Sequence, residues 1–305
     1  MTAAPATTLP IEQAPPGSHA GIVTVRLEQP GKPVVVLDHD LIRRLEATLK
    51  SIPPGTAGLV LASASDRVFV AGADLKAISE YSDDQLARYL EFAARVFMML
   101  ADFPFPTVAA VNGAALGGGL ELAMHCDAVV AAPPPAKDGQ PGRPYPVGLP
   151  EAGLGLCPGW GGTNLLPARM DPAEAIRRTA AGQPMTFDDA ASARLFERVA
   201  KDQTDLLPAA RQLCLELRGS VKRDGTPKKW IGRPDRARAV LDALDSVRAE
   251  LPKTEAAAAV AEAVDAGLTR GWQAALQVER KRLVQLRHTA AAKAALEAFF
   301  AKSKK

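Results

Sequence analysis

The chain has 305 residues, of which 47% are hydrophobic and 23% charged, and a formal net charge of +3. That composition excludes a disordered or fibrous chain and leaves one large domain or two modest ones. No apolar run reaches the roughly 18 residues of a membrane span. The charge is unevenly distributed: residues 201–305 carry 21 basic and 13 acidic groups, net +8, against net −5 for residues 1–200. Cys126, Cys157 and Cys214 have no paired spacing, which predicts reduced thiols and a cytoplasmic protein.

Residues 1–19 have neither a basic n-region nor an apolar h-region, so they read as a loose lead-in and not as a secretory signal. Ile22–Leu27 reads as a strand, and Val34–Leu37 is a second short apolar run. Leu41, Leu45 and Leu49 predict a helix that ends at Pro53–Pro54–Gly55. Gly58–Ala62 and Val68–Val70 are expected strands. Ser82 and Gln85 have capping-box spacing ahead of the stripe Leu86, Leu90, Ala93, Phe97 and Leu100. Phe103–Pro106 stops that helix, and Thr107–Val111 is a buried-type strand. Residues 131–150 are rich in Pro and Gly and predict a surface loop entering a strand at Val147–Leu149. Beyond about Asp202 no strand is expected. Helical text dominates there, as in Thr254–Leu268 and Ala290–Ala301, and Lys222–Arg238 reads as an exposed basic loop. Strands alternating with helices over residues 20–203 predict an α/β core, and residues 204–305 an all-helical region.

Three segments carry chemistry. VFVAGADLK (Val68–Lys76) runs a strand into small residues, where a ligand can approach the backbone closely. NGAALGGGLELAMHCD (Asn112–Asp127) turns through glycines into a helix whose first N–H groups are orphan donors. Such donors suit an oxygen on which negative charge develops. GLPEAGLGLCPGWGGT (Gly148–Thr163) places Glu151 in a stretch with no other charge from Pro144 to Pro167. A carboxylate in those surroundings has a raised pKa, suited to proton transfer near neutrality. Glu121, in the first turn of its helix, is the second carboxylate. The adjacent His125, Cys126 and Asp127 do not converge on one ion, so no metal is expected. There is no dinucleotide fingerprint and no serine-hydrolase elbow.

Together, in this order, the three segments resemble the crotonase (enoyl-CoA hydratase/isomerase) superfamily, and the resemblance covers roughly residues 20–200. It implies a ββα spiral core and an oxyanion hole made by the N–H groups of Ala73 and Gly118. It implies acyl-CoA contacts along Ala71, Ala73, Asp74, Leu75, Lys76 and Gly118, and Glu121 and Glu151 at the two carboxylate positions used by hydratases. The expected activity is hydration of trans-2-enoyl-CoA thioesters in fatty-acid β-oxidation, with no cofactor beyond the CoA of the substrate. The alternatives are isomerisation of 3-enoyl to 2-enoyl thioesters, or a non-catalytic acyl-CoA-binding subunit of a dehydrogenase complex. A homo-oligomer, trimer or hexamer, and a separate hydroxyacyl-CoA dehydrogenase are the expected protein partners; nucleic acid is not expected. Three departures stand out. Residues 133–146 lengthen a usually short link and either alter acyl access or form a surface bulge. Val34–Leu37 lacks the family's usual Asn. Trp160 replaces a smaller residue and either reshapes the acyl tunnel or fills core. Residues 252–305 resemble the helices that follow the hydratase part of multifunctional fatty-acid oxidation enzymes, and the basic stretches 222–238 and 279–287 are candidate attractors of CoA phosphates or of a partner's acidic face.

Overall fold

The computed structural model describes residues 7–17, 19–32, 34–136, 140 and 142–303. In chain order it begins with β1 (Ile11–Gln13), β2 (Ile22–Leu27), α1 (His39–Lys50), β3 (Gly58–Ser63), β4 (Val68–Val70), α2 (Leu75–Glu80) and α3 (Asp83–Asp102). There follow β5 (Thr107–Val111), β6 (Ala114–Leu116), α4 (Gly118–His125), β7 (Ala128–Ala131), β8 (Pro146–Gly148), α5 (Gly162–Leu165) and α6 (Pro172–Ala181). The remainder is β9 (Met185–Thr186), α7 (Phe187–Ser192), β10 (Arg198–Val199), α8 (Leu206–Glu216), α9 (Ala237–Val247), α10 (Glu255–Arg270), α11 (Trp272–Leu286) and α12 (Ala290–Ser303).

The strands form two sheets, ordered β1-β2-β3-β5-β7-β10 and β4-β6-β8-β9. The large sheet is parallel except for β1, and the small one is parallel except for β9. Strands β3 and β5 are apolar almost throughout because both faces of their sheet are covered. Leu59, Leu61, Ala109 and Val111 face the main core, which α1 and α3 share. Val60, Ala62, Val108 and Ala110 face the other way, onto Leu206, Ala210, Leu213 and Cys214 of α8. The division placed near residue 203 therefore runs through a shared core.

Helix α3 starts as its spacing predicts. The Ser82 side chain accepts from Gln85 N, and the Gln85 side chain accepts from Ser82 N. Two expectations need correcting. The lead-in is not loose throughout: Ile11–Gln13 pairs antiparallel with β2, and buried Leu9 donates its N–H to Thr48 Oγ1 at 2.7 Å. Nor is 222–238 simply an exposed loop, since Trp230 and Ile231 are buried and Ile231 N donates to Asn164 O.

Arg223 accounts for much of that docking. Its Nη1 and Nη2 meet both oxygens of Asp127 at 2.6 and 2.9 Å, and it also donates to the carbonyls of Phe103 and Phe105. The Asp127 side chain is 1% exposed and also accepts from Thr107 N. Arg223→Ala strands this carboxylate in the interior and is expected to cost about 3–5 kcal/mol of stability. Urea unfolding checks it, and an unchanged midpoint contradicts the account.

Candidate active site

The three motif segments leave adjacent parallel strands. Residues 71–76 follow β4, residues 117–121 follow β6, and Pro150–Glu151 follows β8. Because β4, β6 and β8 lie side by side and run the same way, the three segments meet beyond the C-terminal ends of these strands. They enclose a cavity of about 390 Å³ that Ala71, Ala73, Lys76, Gly118, Glu121 and Glu151 all line. Asp74, Leu75 and Trp160 border the same space. A wider hollow of about 750 Å³ lies by Arg26, Ser63 and Asp66 at the ends of β2 and β3, and neither Glu121 nor Glu151 reaches it.

Backbone geometry leaves donors at the cavity. Leu37 N donates to Gly72 O and Asp74 N donates to Leu37 O. These bonds make Leu37 and Ala73 a parallel bridge and leave the Ala73 N–H without an acceptor among the described residues. Gly118 opens α4, so its N–H is one of the helix's orphan donors. Gly117 turns the chain into that helix at φ 51°, a conformation that disfavours a side chain. A Cβ on Gly117 would stand 2.6 Å from Glu151 Oε1, so the carboxylate of Glu151 lies against the turn. A Cβ on Gly118 would stand 2.2 Å from the Trp160 indole.

Glu121 is 1% exposed. Its Oε1 accepts from Trp160 N and from Gly162 N, both at 2.8 Å. Its Oε2 has no protein donor among the described residues. Burial raises the proton affinity of Glu121 well above the usual carboxylate range, and the charges of Glu279 and Glu151 add to that, while the two N–H groups oppose it. Glu151 starts a single 3₁₀ turn, Glu151–Leu154. The residue is half-buried, but its Oε2 is enclosed and has no partner among the described residues. Burial pushes the Glu151 carboxyl up to about 8, opposed by a bond from its own backbone, and Glu279 adds to the rise.

Several expected residues have local duties as well. The Asp74 side chain caps α2, accepting from Lys76 N and Ala77 N. Lys76 is mostly exposed, with Nζ 3.8 Å from Glu80. Trp160 both borders the cavity and fills core: its Nε1 donates to Leu90 O, and its ring meets Tyr89 and Phe97 edge-on. None of the described residues of 133–146 lines the cavity, and residues 137–139 and 141 lie outside the described set. Two of the four basic groups of the stretch 279–287 are ion-paired within the chain. Arg282 pairs with Glu262, and Arg287 pairs with Asp83 and donates to the carbonyls of Ile78 and Tyr81.

Sequence reasoning missed Glu279. It is 0% exposed and accepts from Gly161 N, Thr163 N and Thr163 Oγ1. The available signal was the buried stripe Trp272, Leu276, Leu283 and Leu286 of α11, in which position 279 is the one charge. Leu283, Phe299 and Phe300, also from the helical region, border the cavity and were not anticipated.

A family model described as enoyl-CoA hydratase/isomerase matches residues 17–224. The fatty acid oxidation complex subunit alpha of Vibrio cholerae is 31% identical over 289 residues, covering 90% of this chain and 39% of that protein. The chain thus spans well under half the length of that relative. The enoyl-CoA hydratase/isomerase-type protein YngF of Bacillus subtilis is 32% identical over 197 residues, 64% of this chain and 70% of that one. Among solved structures, enoyl-CoA hydratase from Bacillus halodurans superposes with a TM-score of 0.66 at 18% identity, covering 96% of this chain and 100% of that one. Enoyl-CoA hydratase from Bacillus anthracis gives 0.56 at 24% identity, covering 97% of each. At those identities the two structures speak for the crotonase fold alone.

Proposed function

The chain belongs to the enoyl-CoA hydratase/isomerase family of the crotonase superfamily, and on that premise we propose that it adds water across the 2,3 double bond of trans-2-enoyl-CoA thioesters. One observation carries the choice of hydration: two carboxylates at one cavity, Glu121 and Glu151, each keep an oxygen without a protein donor among the described residues. In this reading one water binds to both.

The thioester oxygen sits between the N–H groups of Ala73 and Gly118. Glu121, held by two backbone donors through Oε1, takes a proton from the water with Oε2 as the water's oxygen attacks C3. Glu151 delivers a proton to C2. The charge that develops meanwhile rests on the thioester oxygen as an enolate, and losing one oxyanion donor typically costs about 2.7–4 kcal/mol in the barrier. Lys76, exposed at the rim, offers a point charge to a CoA phosphate. The likeness to a fatty acid oxidation complex subunit supports β-oxidation as the setting, with a hydroxyacyl-CoA dehydrogenase consuming the product.

The sign of the pH dependence follows from these roles. A proton donor must be protonated, and the Glu151 carboxyl is pushed up to about 8. Glu121, as the base, must be ionised, and its proton affinity is raised as well, so the rate is expected to pass through a maximum and to fall on both sides of it. A kcat/KM profile for a four-carbon 2-enoyl thioester checks this, and a flat profile contradicts the role of Glu151. Parallel assays with 2-enoyl and 3-enoyl thioesters of four, eight and sixteen carbons test the reading as a whole. Conversion of 3-enoyl to 2-enoyl substrate that outpaces hydration overturns it in favour of isomerisation.

A further inference from the structure

The loop Gly159–Thr163 presents four successive backbone N–H groups to two carboxylates in alternation. Trp160 N and Gly162 N go to Glu121, at 2.8 Å each. Gly161 N and Thr163 N go to Glu279, at 2.5 and 3.0 Å. The Thr163 hydroxyl adds a bond of 2.6 Å to Glu279 Oε1 and is itself aligned by Asn164 Nδ2 at 2.8 Å. The loop is thus held from both sides, by α4 on one and by α11 on the other.

Alternation couples the two sides. Both carboxylates hold the same short stretch, so a shift of that stretch away from Glu279 also displaces the N–H groups that meet Glu121. Both oxygens of Glu279 act as acceptors, which a carboxylate can do and an amide cannot. Glu279 does not line the cavity among the described residues, although Leu283, one helical turn on, does. Its reach toward the reacting atoms runs through the loop and Glu121.

We propose that Glu279 is a positioning residue for the hydration reaction: by fixing alternate N–H groups of the Gly159–Thr163 loop, it fixes the pair that orients the Glu121 carboxylate over the cavity. This rests on the hydratase reading above. The helical region then completes the catalytic centre and does more than cover it.

Charge gives a second, independent readout. The groups facing Glu279 are Glu121 from α4, Glu151 from its 3₁₀ turn, Cys157 from the segment between, and Arg280 on its own helix; Arg282 faces Cys157. The negative charge of Glu279 raises the proton affinity of both Glu121 and Glu151. Neutralising it lowers both, so the ionisation limbs of the rate profile move to lower pH.

The test is Glu279→Gln in the full chain, assayed with a four-carbon 2-enoyl thioester beside Thr163→Val and Thr163→Ser. E279Q is expected to lower kcat on the order of 10²-fold, the effect of a small misplacement of a catalytic group. KM should stay near the wild-type value, and the pH limbs should move to lower pH. T163V should show the same kcat loss in smaller degree, and T163S, which keeps the hydroxyl, should match wild type. An E279Q enzyme with wild-type kcat and pH profile overturns the proposal, even if its melting temperature falls. If E279Q does not fold, T163V decides, and a T163V indistinguishable from T163S overturns it. A wild-type protein that hydrates no 2-enoyl thioester overturns the proposed function first, and this inference with it.

Discussion

Glu151→Gln and Glu121→Gln are each expected to lower the hydration rate of a 2-enoyl thioester by about 10²–10⁴-fold, the usual contribution of a positioned acid or base. An amide has nearly the same shape as the carboxyl it replaces but neither gives nor takes the proton. The two variants should still fold, for different reasons. Glu121 Oε1 accepts from Trp160 N and Gly162 N, and a Gln oxygen can do the same. Glu151 Oε2 is enclosed without a partner among the described residues, so exchanging it for an amide breaks no described protein contact of that oxygen. Steady-state hydration, with circular dichroism as the folding control, separates loss of chemistry from loss of structure. If both Gln variants hydrated at near wild-type rate, the two-carboxylate account would fail.

Gly118→Ala is the second large effect, and it acts through the backbone. The added Cβ would stand 2.2 Å from Trp160 Cζ3 and 3.1 Å from Leu37 Cδ1. Trp160 cannot easily yield, because its Nε1 is bonded to Leu90 O and its ring is wedged between Tyr89 and Phe97. The start of α4 must move instead, which takes the Gly118 N–H away from the position proposed for the thioester oxygen. The expected loss in kcat is about 10²–10³-fold, that of one oxyanion donor. Overpacking is expected to cost about 1–3 kcal/mol of stability. A G118A protein with wild-type kcat would remove Gly118 from the oxyanion site.

Much of this site is legible in the sequence because its parts are local. Each motif is a strand followed by a turn, so the residues at 71–76, 117–121 and 150–151 declare themselves through glycines, small residues and isolated carboxylates. Once β4, β6 and β8 lie parallel and adjacent, the three turns must converge. The continuous apolar runs at β3 and β5 are equally plain, since both their faces are buried. What escaped is what depends on docking between distant segments. Glu279 sits in text that reads as a basic stretch, and only its place on the apolar stripe of α11 marks it as buried. Strand β1 has three residues and one partner, too little pattern to separate it from coil. Trp230 and Ile231 are buried by contacts made across the chain, inside text whose charges and glycines suggest exposure.

The charge asymmetry also acquires a structural meaning. Several basic groups of the rear third pair with acidic groups of the front: Arg223 with Asp127, Lys229 with Glu197, and Arg287 with Asp83. Part of the surplus on each side is thus spent within the chain, at the seam between the sheets and the helices that close over them. Glu279 runs against this pattern, an acidic group of the basic third carried inward to the loop that holds Glu121.

The central claim is that this cavity performs hydration, and one measurement addresses it most directly. Crotonyl-CoA is mixed with the purified protein, loss of the conjugated enoyl thioester is followed by its absorbance, and the product is identified. The account predicts catalytic turnover to the 3-hydroxyacyl thioester, lowered about 10²–10⁴-fold in E151Q. Tight binding of crotonyl-CoA without turnover by the wild-type protein would contradict it and leave an acyl-CoA-binding subunit in its place.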